Sequence, residues 1–278
     1  MKEMTVREIQ HVGLDMMKVI HLFCIDNNIR YTLAYGSLIG AVRHHGFIPW
    51  DDDIDLWMPR PDYERFCRTF QSKDGIKIMS SYSDDNYLYF TKVYDDTRTH
   101  VEMKLLHQKG DIGVWIDVFP IDGVSDIKGR FLMDYRHMCN IRKKLNSIRG
   151  SYTEIVKAKG LKKKKAFLKL WIKNILFGSV HKLRAKHQRL CSVYQFGTTQ
   201  HCSSLCCVDA YKKRKPECFD TVDFYDYMLT EFEGEQFYIT KSFDKILKHI
   251  YGDYMILPPK EKQESHLTKD GERFYWKY

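Results

Sequence analysis

The sequence predicts an α+β fold, a mixed sheet core carrying helices, and three observations predict it. Helical and strand-like periodicities alternate over the first 125 residues, beginning helix, strand, short helix, strand, helix and then passing to further strands. No segment repeats. The 278 residues are 44% hydrophobic and include 16 Phe, 18 Tyr and 5 Trp, enough for a sizeable core, while 16 Gly and 7 Pro are too few for a collagenous or low-complexity chain.

The elements follow in order. Val6, Ile9, Val12, Met16, Val19, Ile20 and Phe23 recur at helical spacing over 5–27, and Thr5 with Glu8 reads as a capping box. Ile29 to Tyr35 reads as a short strand. Gly36-Ser37 reads as a turn, with Ser37 capping a helix over Leu38 to Arg43 that His45-Gly46 ends. Ile54 to Met58 is a second strand stopped by Pro59, and Arg60 to Phe70 a helix with Pro61 in its first turn. Ile76–Tyr82, Tyr87–Tyr94 and Val114–Phe119 complete the early strands. Residues 127–195 read as helical and basic, and the aromatic-rich last third ends in a helix near Phe243–Tyr251.

Charge is unevenly placed. The formal net charge is +9, but residues 141–190 hold 16 Lys or Arg and a single acid, Glu154. Within that window Phe167, Leu168, Trp171, Ile172, Ile175 and Leu176 share one helix face. Such a helix lies on an anionic membrane surface, or packs its apolar face on its own protein. Basic patches alone are unspecific for nucleic acid, no nucleic-acid motif accompanies this one, and no nucleic-acid partner is expected. Lysines interrupt every apolar run before it reaches membrane-spanning length, and the N-terminus has no apolar signal region. The expectation is a cytoplasmic protein, peripheral at the inner face of the plasma membrane. Eight scattered cysteines read as reduced thiols; His201, Cys202, Cys206, Cys207 and Cys218 lack a paired zinc-binding spacing.

Asp51, Asp52, Asp53 and Asp55 place four carboxylates in five positions. Asp53 and Asp55, two apart, share a face if the segment is extended, and their mutual repulsion is relieved by a divalent cation. The alternative is a solvated acidic turn. Asp117 lies inside the apolar run Val114–Phe119 and needs a partner, which a shared metal would supply.

With the Gly-Ser element, the Asp-x-Asp pair and a later lone Asp, the chain resembles nucleotidyltransferases of polymerase-β type. YTLAYGSLIGAVRHHGFIPWDDDIDLWMPRPDYERF, TKVYDDTRTHVE, VWIDVFPIDG and YGDYMILPP with His266 following resemble, more closely, the LicD family of phosphotransferases, related to fukutin and fukutin-related protein. The resemblance covers residues 1–125 and roughly 225–267. It implies a nucleotidyltransferase-like catalytic core at 1–126, a basic helical insertion at 127–200 and a segment completing the catalytic domain at 201–278.

The resemblance also implies transfer of a phospho-alcohol, foremost phosphocholine, from a CDP-linked donor such as CDP-choline to a hydroxyl of a lipid-linked or cell-surface glycan, lipopolysaccharide or teichoic acid, releasing CMP. Asp53, Asp55 and Asp117 would then be catalytic and hold Mg²⁺ or Mn²⁺. Gly36 and Ser37 would hold phosphate, and Arg43 and Lys92 are the candidate phosphate-binding cations. Ribitol or glycerol phosphate as cargo, a catalytically silent glycan-assembly protein, and a nucleotidyltransferase that makes an NDP-linked compound stay as alternatives. In metal-free protein, Asp117 is expected to be the acid of the three most ready to carry a proton.

Overall fold

The computed structural model describes residues 1–103, 110–207, 216–265 and 271–278. In chain order the elements are β1 (Lys2–Glu3), α1 (Val6–Asp26), β2 (Thr32–Leu33), α2 (Tyr35–His44), β3 (Ile54–Pro59), α3 (Arg60–Thr69), β4 (Ile76–Met79), β5 (Thr91–Asp95), β6 (Thr99–Glu102) and β7 (Val114–Gly123). There follow α4 (Lys128–Lys157), α5 (Gly160–Phe177), α6 (Val180–Cys191), β8 (His201–Ser203), β9 (Phe219–Asp220), β10 (Tyr227–Phe232), β11 (Glu235–Thr240), α7 (Phe243–Tyr251) and β12 (Arg273–Trp276).

The molecule is α+β. Its main sheet runs β2-β3-β7-β5-β4, with β8 and β9 continuing from the end of β7. The β3–β7 pair is parallel and the other pairs are antiparallel, so the sheet is mixed. Every residue of β7 is buried. Along β3 and β7 successive side chains alternate between faces. One face packs on α1 and α3: Gly13 of α1 lies against Ile54, Tyr63 of α3 shares a hydrogen bond with Thr91 (2.8 Å), and Phe23 meets Phe66 and Phe70. The other face carries Asp55, Trp57, Asp117 and Phe119.

The Thr5–Glu8 capping box forms, the Glu8 N–H donating to Thr5 Oγ1 (3.2 Å) and the Thr5 N–H to Glu8 Oε2 (2.8 Å). His45 ends α2 in the left-handed conformation, its N–H returning to Gly40 O. Three expected strands are shorter than the sequence suggests, Ile76–Tyr82 yielding only Ile76–Met79. Residues 29–35 yield only Thr32–Leu33, because Tyr35 already turns into α2. Residues 87–90 stay outside β5 because Asn86 is buried and donates to Met79 O, Ser80 O and Phe90 O (3.3, 3.0 and 2.9 Å), holding that backbone in a loop. The β10–β11 hairpin escaped the sequence reading. Its signal is Glu233-Gly234, two residues both at positive φ (55° and 78°), as a two-residue hairpin turn requires.

In the basic segment, α5 faces α4 with Ala166 and Leu170, and Lys173 donates to Ser147 O (2.7 Å) and Ser151 Oγ (2.8 Å) of α4. The aromatic-aliphatic face named from the sequence points the other way, and Trp171 is 62% exposed. The alternative in which that face packs on its own protein is therefore overturned. Ala166 and Leu170 are the α5 side chains buried there, and Phe167, Leu168, Trp171, Ile172, Ile175 and Leu176 are left outside.

Candidate active site

Three strands bring three charged residues into one row. Asp55 on β3 is the register partner of Asp117 on β7, and Asp117 is the register partner of Lys92 on β5. Adjacent strands stand about 4.8 Å apart, and register partners share a face, so Asp55, Asp117 and Lys92 lie side by side. Lys92 is fully buried and donates to Asp117 Oδ1 at 2.5 Å; its ammonium also lies over the Trp115 ring, 4.1 Å from the centroid.

The remaining acids sit just before β3. Asp53 precedes Ile54, the first strand residue, so the Asp53–Asp55 pair straddles the strand entrance. The carboxylates of Asp51, Asp52 and Asp53 gather within 4.8 Å of one another. Asp52 is buried, and Asp52 and Asp53 border a narrow cleft with Ile9, Trp115 and Phe274. Burial, then the charges of Asp53 and Asp52, push the Asp51 carboxyl well above the usual carboxylate range. Asp117, on the neighbouring strand, faces the Lys92 ammonium. Crowded carboxylates of this kind are what a hard divalent cation relieves, and their oxygens suit Mg²⁺ or Mn²⁺.

The start of α2 abuts this cluster. Gly36 and Ser37 lie within the first helical turn rather than in a turn before it, and the helix begins without a side-chain cap. Ser37 is buried, and its hydroxyl accepts the Asp55 N–H (2.9 Å) while the Ala34 N–H donates to Asp55 O (2.8 Å). Both backbone groups of Asp55 are thus fixed by the α2 corner. A Cβ at Gly36 would collide with the Asp51 carboxylate, so glycine is what lets the acid lie against the electropositive helix start. Tyr35 holds φ 45°, a conformation that costs a non-glycine residue about 1–2 kcal/mol. Its ring is wedged edge-on against Trp57 (4.6 Å), and its hydroxyl donates to Glu217 (2.9 Å).

Arg43 is not brought to this row. It lies about 9 Å along the helix axis from Ser37. Its guanidinium donates to Tyr254 O (2.5 Å), tying α2 to the YGDYMILPP segment. His266 lies outside the described residues. His201 is engaged by Asp126 (2.9 Å) and approaches Asp220 (3.8 Å). Gln10 was missed: it is buried on the core face of α1 and donates to Asp51 O at 2.7 Å. A glutamine in the apolar stripe of an amphipathic helix was the available signal.

Comparison with known proteins shows the family. Residues 28–147 match the family model described as LicD/FKTN/FKRP, nucleotidyltransferase domain. The chain is 30% identical over 277 residues to the lipopolysaccharide cholinephosphotransferase LicD of Haemophilus influenzae, covering 97% of this chain and 98% of that protein. The chain belongs to the LicD family. It is a LicD-like phosphotransferase. Shorter matches join this LicD-family chain to uncharacterised proteins of Rickettsia typhi (45% over 51 residues, 18% of this chain and 16% of the relative) and Rickettsia prowazekii (47% over 47 residues, 17% and 18%).

Proposed function

We propose that this LicD-family chain transfers phosphocholine from CDP-choline to a hydroxyl of a lipid-linked or cell-surface glycan precursor, releasing CMP, on a core of nucleotidyltransferase type. The observation that carries the reading is the Asp55–Asp117 register pair beside the Asp51–Asp53 cluster, in a chain that is alike end to end to a cholinephosphotransferase. We assign Asp53, Asp55 and Asp117 as the residues that hold Mg²⁺ or Mn²⁺. The ion, when bound, would neutralise the pyrophosphate oxygens and the charge growing on the departing CMP.

The chain's own groups do the rest. The first turn of α2, at Gly36 and Ser37, offers backbone N–H groups to a phosphate. Lys92 orients Asp117 through its ion pair. A carboxylate, most simply Asp53, takes the proton from the acceptor hydroxyl as its oxygen bonds to the choline-bearing phosphorus. The P–O bond to CMP then breaks. Arg43, through Tyr254 O, braces the C-terminal segment that we propose closes over the donor. Among the described residues no helix is long and apolar enough to cross a membrane. We place the protein in the cytoplasm, at the inner membrane face, through residues 141–190.

Purified protein with Mg²⁺ and acceptor glycan is expected to release CMP from CDP-choline faster than from CDP-ribitol or CDP-glycerol. Release from none of the three would remove the donor class; preference for a polyol donor would keep the chemistry and change the cargo.

Gly36→Ala tests the support of the acid cluster. The added methyl displaces the Asp51 carboxylate. Turnover is expected to fall roughly tenfold or more, since small displacements at a positioned site are that costly. The unfolding midpoint should hardly move, because alanine favours a helix. Unchanged turnover would show that Asp51's position is immaterial.

A further inference from the structure

The α5 helix presents two opposed surfaces. Ala166 and Leu170 are buried against α4, while Phe167, Leu168, Trp171, Ile172, Ile175 and Leu176 are exposed, Leu176 at 68%. A soluble helix normally turns its large apolar side chains inward. Here the larger apolar face looks outward, and its rim is predominantly lysine. Lys162 to Lys165 are all exposed at the start of the helix. Lys157, Lys162, Lys165 and Lys169 line a groove of about 590 Å³ between α4 and α5, tempered by Glu154 alone.

We propose that α5 is an in-plane membrane anchor. Its exposed apolar stripe enters the acyl boundary of an anionic bilayer, and the flanking lysines meet the lipid phosphates. Two features select lipid over a second copy of the chain. The rim carries net positive charge, so two such faces repel one another. The stripe carries Trp171 midway along it, with flanking lysine stems able to reach past it, the arrangement of interfacial helices. The inference sharpens the membrane placement proposed above, and vesicle binding is read without donor or acceptor, so it fails or survives separately from phosphocholine transfer.

The full chain is sedimented with vesicles of phosphatidylglycerol and phosphatidylcholine, and with vesicles of phosphatidylcholine alone. It is expected to bind the anionic vesicles, with affinity falling steeply as salt rises. Trp171→Gln with Ile175→Gln should weaken that binding roughly tenfold or more, because apolar burial is lost. Lys162, Lys164 and Lys165 replaced by Gln should weaken it roughly fivefold per lysine and flatten the salt dependence. All the replaced side chains are exposed, so circular dichroism and CMP release with a water-soluble acceptor should match the parent. The proposal is overturned if the parent binds neither vesicle, or if the Trp171/Ile175 variant binds as the parent does. Self-association of the parent that this variant abolishes, without vesicle binding, would assign the face to a second copy and also overturn it.

Discussion

Asp55→Asn is expected to abolish transfer, lowering turnover by roughly a thousandfold or more, while the protein stays folded. Asparagine keeps the size and the backbone, and the hydrogen bonds that fix residue 55 run through its N–H to Ser37 and its carbonyl to Ala34, which the substitution spares. What disappears is one negative charge beside Asp117. In the metal-free protein that charge is a burden in a crowded acidic corner, so the unfolding midpoint should stay level or rise. Asp53→Asn should behave alike, relieving Asp51 of its largest charged neighbour. Turnover and thermal unfolding, measured on the same preparations across a Mg²⁺ titration, separate the two effects. A variant that keeps a tenth of parental turnover at saturating Mg²⁺ would count against a direct ligand role for that residue.

The second large effect is on stability. Asp122 near the end of β7 is fully buried and receives a two-pronged ion pair from Arg60 at the start of α3, Nε to Oδ1 at 2.5 Å and Nη2 to Oδ2 at 2.8 Å. The pair staples α3 to the end of the parallel β3–β7 pair, next to the Pro59–Ile121 register contact. Asp122→Ala strands the Arg60 guanidinium, only 15% of whose side chain is exposed, without its partner. Breaking a buried pair from one side costs about 3–5 kcal/mol, a large share of the 5–15 kcal/mol of an ordinary domain. Replacing both partners with apolar residues, Arg60→Met with Asp122→Leu, should recover most of that loss, because no charge remains buried. Denaturant unfolding reads both. A single-variant loss under about 1 kcal/mol would mean that water or a neighbouring group solvates Arg60.

The sequence by itself determined the parts whose physics is local. The capping box at Thr5 and Glu8, the stop at His45, the strand ending at Pro59 and the helix at Phe243–Tyr251 all follow from residues within a few positions of one another. The acids of the candidate site were legible for the same reason: four aspartates in five positions, and one aspartate in an apolar strand, are anomalies visible without any fold. Even so, their arrangement was not. The sequence treated Asp53 and Asp55 as strand neighbours and left Asp117 awaiting a metal. Strand register, set by hydrogen bonding between segments far apart in the chain, put Asp117 beside Asp55 on one side and Lys92 on the other. The same holds for Arg60 and Asp122, 62 residues apart and silent until paired. The direction of α5 is the clearest division. Periodicity identified its apolar face correctly, but periodicity describes a helix in isolation. Which side met α4 was decided by tertiary packing: Ala166 and Leu170 are buried there, Lys173 bonds Ser147 O and Ser151 Oγ of α4, and the aromatic-aliphatic face was left to the outside.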